Sequence, residues 1–249
     1  MIDGIIMPNE VVTQHYLDTV GRNYRLPVIA ASYGNPARFS RAVPRVEIDM
    51  EKVMELAVRE LRANGHKRLA LAMPYPFRTM DVRRLAFCSL MEEVYGNRIK
   101  DYYIGIHREE LPEDPRILAF QEDEDRESGM YLPEEDFFGK GELAAQLFAE
   151  RKIDATAVVA FNDEFALGMC KRFHALGIQV PRDISLIGID GSSARKYRDP
   201  CLTSVGLFPE KQGARCVDTL LDMLEGKKVK YVSGSPIKLI KGDSVRKLE

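Results

Sequence analysis

The stretch Asp154–Ser192 reads DATAVVAFNDEFALGMCKRFHALGIQVPRDISLIGIDGS, and its rhythm decides the fold. Seven mostly apolar residues, 155–161, stop at Asn162-Asp163, and a helix-like pattern begins at once over 163–176. A second apolar run, 184–189, ends on Asp190 and is followed by Gly191. Two short runs, apolar on both faces and separated by one amphipathic helix, are the signature of neighbouring strands in a parallel sheet.

The same alternation extends outward. Strands are predicted at 2–7, 26–32, 46–49, 68–73 and 101–106, and a last one over 236–245. Helices are predicted at 8–23, 50–64, 79–95, 139–152 and 208–225. The clearest helix is 50–64, with Val53, Ala57 and Leu61 on one stripe, Met54 and Val58 beside it, and Gly65 closing it. The expected fold class is therefore α/β, with parallel sheets flanked by helices. One segment breaks the pattern. Residues 107–136 hold 12 acidic residues against three basic ones, with three prolines, and read as a solvated surface excursion.

Composition excludes several functions. A formal net charge of −2 leaves no chain-wide electrostatic footprint for nucleic acid. The four cysteines are scattered without a C-x-x-C pair, which fits a reduced, cytoplasmic setting and argues against a zinc site. No apolar run approaches the ~18 residues of a membrane span. The first residues lack the basic and apolar regions of a signal peptide. No Gly-rich phosphate loop, H-E-x-x-H or G-x-S-x-G occurs, and the four histidines share no ligand spacing. His66, between a helix-ending glycine and a strand, reads as a structural turn residue. No cofactor and no enzymatic activity are expected.

What recurs is a polar residue at the carboxyl end of a strand: Ser32, Asn162-Asp163 and Asp190. In open parallel sheets ligands bind outside those ends. Asn and Asp on neighbouring tips suit the vicinal hydroxyls of a sugar. The alternative for Asn162 and Asp163 is helix capping, at which both residue types excel.

These residues also sit in a longer pattern. Asp163, Ala166, Gly168, Gly177, Val180-Pro181, Asp183-Ile184-Ser185, Gly188 and Asp190 resemble the effector-binding domain of the LacI/GalR repressor family. The resemblance continues into YRDPCLTSV at 197–205. Upstream it is carried by DGIIM, LPVIAAS, the 46–72 unit and VRRLAF at 82–87, where Ala86 stands in place of the usual glycine. It implies a two-lobed periplasmic-binding-protein type I-like fold. The first lobe would be 1–48 plus 207–235, and the second 49–206 plus 236–249. Relative to the family, the first lobe lacks its first two strand-helix units, so the chain reads as N-terminally truncated, with no DNA-binding domain of its own.

The resemblance implies ligand-binding roles for Asp190, Arg83, Asn162, Phe137 or Phe138, and Ser32, with Arg84 as a competitor for Arg83. Asp163 is expected to cap its helix. The implied ligand is a small-molecule effector, a sugar or related polar metabolite. Lobe closure on it would modulate DNA binding by a helix-turn-helix or winged-helix head. The implied assembly is a homodimer. The alternative is a periplasmic-type sugar-binding protein for transport or chemotaxis.

Overall fold

The computed structural model describes residues 2–20, 26–34, 43–107, 110, 136–197 and 199–248. Nearly all of the acidic excursion expected at 107–136 lies outside them. The described residues divide into two compact units, one from Met1–Met50 and Phe208–Ile237, the other from Glu51–Glu113, Glu134–Leu207 and Lys238–Glu249.

The first unit is built on a four-stranded parallel sheet. Its order is β1 (Ile5–Met7), β2 (Val28–Ser32), β3 (Arg45–Glu47) and β9 (Val232–Gly234). Alternation along β2 sends Val28 and Ala30 to one face and Ile29 and Ala31 to the other. Val28 and Ala30 join a cluster with Met7, Leu17 and Val43, against which helix α1 (Glu10–Thr19) lays Val12 and Tyr16. Ile29 packs with Val46 and Cys216, and there helix α6 (Pro209–Leu224) adds Leu220. Helix α1 starts at Glu10 rather than residue 8, because Asn9 caps it, its Oδ1 accepting from the Val12 N–H at 2.8 Å.

The second unit carries a six-stranded sheet. Its order is β10 (Lys238–Ile240), β8 (Thr203–Gly206), β7 (Ser185–Asp190), β6 (Ala157–Ala160), β4 (Leu69–Met73) and β5 (Tyr103–Gly105). All neighbours are parallel except β10, which runs antiparallel to β8. Helix α2 (Met50–Ala63) buries Val53, Met54, Ala57, Val58 and Leu61, the stripe its 3.6-residue period predicts. Strands β8 and β9 were not among the predicted elements.

Helices α3 (Val82–Tyr95), α4 (Phe137–Glu150) and α5 (Asp163–Ala175) complete this unit. The pair α4–α5 packs backbone against backbone. A Cβ added at Gly141 would overlap the Phe165 carbonyl, and one at Gly168 would overlap the Phe138 carbonyl. His66 is 1% exposed and joins two distant segments, with Nδ1 3.0 Å from Thr156 Oγ1 and Nε2 3.0 Å from the Arg246 carbonyl. Burial holds its imidazole below the usual range, so the neutral ring serves as a structural tie, as the sequence suggests.

Candidate functional site

The carboxyl tips of β6 and β7 lie side by side and carry two of the expected site residues, Asn162 and Asp190. At the β6 tip, Asn162 has extended backbone, and its Oδ1 accepts from the Phe165 N–H at 2.8 Å. Asn162 is therefore the cap of α5, and the expectation that Asp163 would fill that place is corrected. The reason is backbone phase. Helical geometry begins at Asp163, so its side chain turns inward instead of back over the first turn.

Asp163 is 0% exposed and has a different task. Its Oδ2 accepts from the Ser192 N–H at 2.6 Å and its Oδ1 from the Ser204 hydroxyl at 2.5 Å. Ser204 in turn accepts from the Gly191 N–H at 3.0 Å. A side chain at Gly188 would collide with Asp163 Oδ1, so only glycine fits there. Burial raises the Asp163 pKa, partly offset by the bonds from Ser204 and Ser192. This network fixes the turn that presents Asp190.

Asp190 ends β7 at φ 113°, a region that non-glycine residues enter at a cost of about 1–3 kcal/mol. The turn is held on both sides, since the Leu207 N–H donates to the Asp190 carbonyl at 3.1 Å and Gly191 follows at φ 71°. Asp190 is exposed, yet protein crowds it. Desolvation and the Asp163 charge push its carboxyl up to about 7, against the pull of the Arg83 charge. Solvent reaching the exposed carboxyl screens part of that effect. A strained, polar, pKa-shifted residue at a strand tip is a functional-site signature.

Arg83 lies on α3. Its guanidinium stacks on the Phe161 ring, 3.8 Å from the centroid. Its Nε and Nη2 donate to the two oxygens of Asp81, at 3.0 and 2.7 Å. Asp81 also caps α3, accepting from the Arg83 N–H at 2.8 Å. Burial works against ionising Asp81, but the Arg83 hydrogen bonds and charge outweigh it and hold the carboxyl below its usual range. The expected donor fork is thus engaged within the chain, which fixes the guanidinium in place. Arg84, the competing candidate, is 9% exposed; its Nε donates to the Thr79 carbonyl and its guanidinium lies over Phe77.

Phe137 and Phe138 part company. The Phe137 ring sits 5.1 Å from Phe161, inside a cluster with Tyr75 and Phe165. Phe138 faces Lys171 of α5, whose Nζ is 5.4 Å from its ring. Ser32 belongs to the first unit. It is 0% exposed, and its hydroxyl donates to Glu10 Oε1 while its carbonyl accepts from the Ile48 N–H and Gln212 Nε2. The structure thus gathers Asp190, Asn162, Arg83 and Phe137 around Phe161 and the two tips of the second unit, and ties Ser32 and Phe138 into other contacts.

Sequence reading missed Phe161, Tyr75, Asp81 and Lys140, whose Nζ lies 5.9 Å from both the Tyr75 and Phe137 rings. Two signals were available: Asp81 stands two residues before Arg83 at a helix start, and Phe161 directly precedes the Asn162 cap. Among the described residues no group of His, Cys, Asp and Glu side chains could hold a metal ion, and no helix is long and apolar enough to cross a membrane.

Comparison with known proteins agrees with this architecture. Residues 58–245 match the periplasmic binding protein-like domain. The transcriptional regulator MalR of Streptomyces coelicolor is 31% identical over 183 residues, 74% of this chain and 46% of MalR. The repressor PurR of Vibrio vulnificus is 24% identical over 248 residues, 99% of this chain and 65% of PurR. The chain thus spans between about half and two thirds of the length of these curated relatives. Among solved structures, a LacI-family regulator from Enterococcus faecium with bound ribose superposes with a TM-score of 0.71 at 22% identity, covering 100% of this chain and 81% of that one. The regulator CelR in complex with cellobiose gives 0.71 at 20% identity, covering 98% and 66%. The chain belongs to the periplasmic binding protein-like domain family.

Proposed function

We propose that the chain is the effector-binding and dimerisation core of a transcriptional regulator, and that its effector is a sugar or related small polar metabolite. The observation that carries this is the Asp190 tip. A carboxylate held in strained backbone by the Asp163–Ser192 and Ser204–Gly191 bonds stands near a stacked guanidinium and an aromatic shelf. Preorganised groups of this kind bind without paying the cost of ordering themselves.

The chemistry divides among the residues. Ionised Asp190 accepts from two hydroxyls. Arg83, with two of its donors held by Asp81 and its plane stacked on Phe161, adds a fixed positive charge beside the tip. Asn162 spends its carbonyl on the helix cap and offers the amide N–H groups to an acceptor oxygen. Phe137, half-buried against Phe161, supplies an apolar edge for a sugar ring's C–H face. Ser32 contributes through packing, because its hydroxyl is engaged by Glu10.

A bound sugar alters a regulator only through its different affinity for two conformations. DNA contact would be made by a head domain of helix-turn-helix or winged-helix type, and the working assembly would be a cytoplasmic homodimer. The likeness to the transcriptional regulator MalR and the repressor PurR favours this reading over a transport role.

Calorimetry against mono- and disaccharides, ribose and cellobiose among them, tests the site. Two hydrogen bonds to a charged group, at about 1.5–3 kcal/mol each, predict that Asp190→Asn weakens the bound sugar by about 100-fold or more. Equal affinity in wild type and variant overturns the assignment.

A further inference from the structure

A second concavity lies in the same unit, lined by none of the residues gathered at the Asp190 tip. It measures about 380 Å³ and is lined by Pro76, Phe77, Arg78, Lys100 and His107. Its three basic residues arrive on three segments. Arg78 is in the loop after β4, Lys100 in the 3-10 turn Gly96–Tyr102, and His107 two residues past β5. All three are exposed, and among the described residues no carboxylate lines the groove.

The floor is rigid. The Phe77 ring meets Tyr103 edge-on at 5.0 Å, and the Tyr103 hydroxyl donates to the Tyr75 carbonyl at 2.8 Å. The buried Arg84 guanidinium stands 5.0 Å from the Phe77 centroid, and Lys100 Nζ stands 5.4 Å from it. Lys100 is thereby placed over the groove floor. Basic side chains converging on one concavity raise its potential and attract an anion. The position, outside the carboxyl ends of β4 and β5, is where open parallel sheets take ligands. The volume falls within the range of small-molecule sites, roughly 300–1,000 Å³.

We propose that this groove binds the phosphate or carboxylate group of a small metabolite, with Arg78, Lys100 and His107 donating to the anion and Phe77 and Pro76 covering its apolar part. Arg78 supplies the planar fork that suits either oxyanion, and Lys100 a point charge. The inference does not rest on the sugar reading of the Asp190 tip.

The test is a two-dimensional NMR titration of the full chain with inorganic phosphate and, separately, acetate, at constant ionic strength against chloride. Saturable shifts at the amides of Phe77, Arg78, Lys100 and His107 support the site. Tighter phosphate binding assigns it to phosphate esters, and tighter acetate binding to carboxylates. The double variant Arg78→Gln/Lys100→Gln should weaken the anion by about tenfold or more while leaving the melting temperature and sugar binding unchanged. Asp190→Asn should leave the anion titration unchanged, which separates failure here from failure of the sugar site. Shifts that do not saturate, that chloride reproduces, or that persist in the double variant overturn the proposal.

Discussion

Strands β4, β6 and β8 of the six-stranded sheet are buried at every residue, whereas β1 reads half-buried, exposed, buried and β9 exposed, half-buried, exposed. The helices repeat the contrast. In the second unit α5 buries seven residues, and α4 meets it with only glycine at the closest points. In the first, α6 buries only Gln212 and Cys216, and carries Val217, Leu221 and Leu224 at 45, 52 and 44% exposure on one helical stripe. Ile6 on β1 is 40% exposed. A covered sheet provides the fixed frame that a strained tip such as Asp190 requires, because strain persists only where surrounding contacts over-determine it. The first unit's described residues provide fewer such contacts.

The largest effect that could break this contrast is at the α4–α5 contact. Gly168→Ala drives a methyl into the Phe138 carbonyl, and the second unit should lose about 3 kcal/mol or more in urea unfolding. A loss below about 0.5 kcal/mol would mean that the helices are not packed at backbone distance. Next comes the tip itself. Asp190→Gly relieves the positive φ and the repulsion from Asp163, so stability should rise by about 1 kcal/mol while sugar affinity is lost. Stability lost together with affinity would show that the residue is structural. The smallest effect belongs to the open stripe: Leu221→Gln should change stability by no more than about 0.5 kcal/mol. A cost comparable to that of Gly168→Ala would show that this face is covered in solution.

Proton linkage sharpens the same contrast. Burial and the Asp163 charge push the folded Asp190 carboxyl above the ordinary carboxylate value of 3.8, up to about 7. The folded state therefore holds the proton more tightly, and this residue's contribution to stability falls as pH rises from about 4 to about 7. On the proposed role of Asp190, sugar binding would run the opposite way, because hydroxyls donate to the ionised form. Affinity should climb by up to about tenfold per pH unit below 7 and level off above it. The profile should be flat in Asp190→Asn; a slope that survives in that variant would assign the proton to another group.

Much of this was legible in the residues. The strand–helix rhythm predicted parallel sheets because strands covered on both faces are continuous apolar runs. Strand β8 escaped because Thr203 and Ser204 are polar yet buried, the former accepting from Gly242 and the latter donating to Asp163. Strand β9 escaped because it is mostly exposed and carries no apolar run. At the site, Asp190 stood out at a strand end before a glycine. The exchange of roles between Asn162 and Asp163 did not, since both residues cap well and only backbone phase separates them. Nor did the pairing of Arg83 with Asp81, which depends on how α3 begins.

The most direct test of the central claim is to map a sugar onto the chain by NMR, titrating ribose first and then whichever sugar calorimetry finds tightest. The account predicts saturable shifts concentrated at Arg83, Phe161, Asn162, Asp190, Gly191 and Ser192, and their loss in Asp190→Asn. Saturable shifts that leave these amides untouched would contradict it.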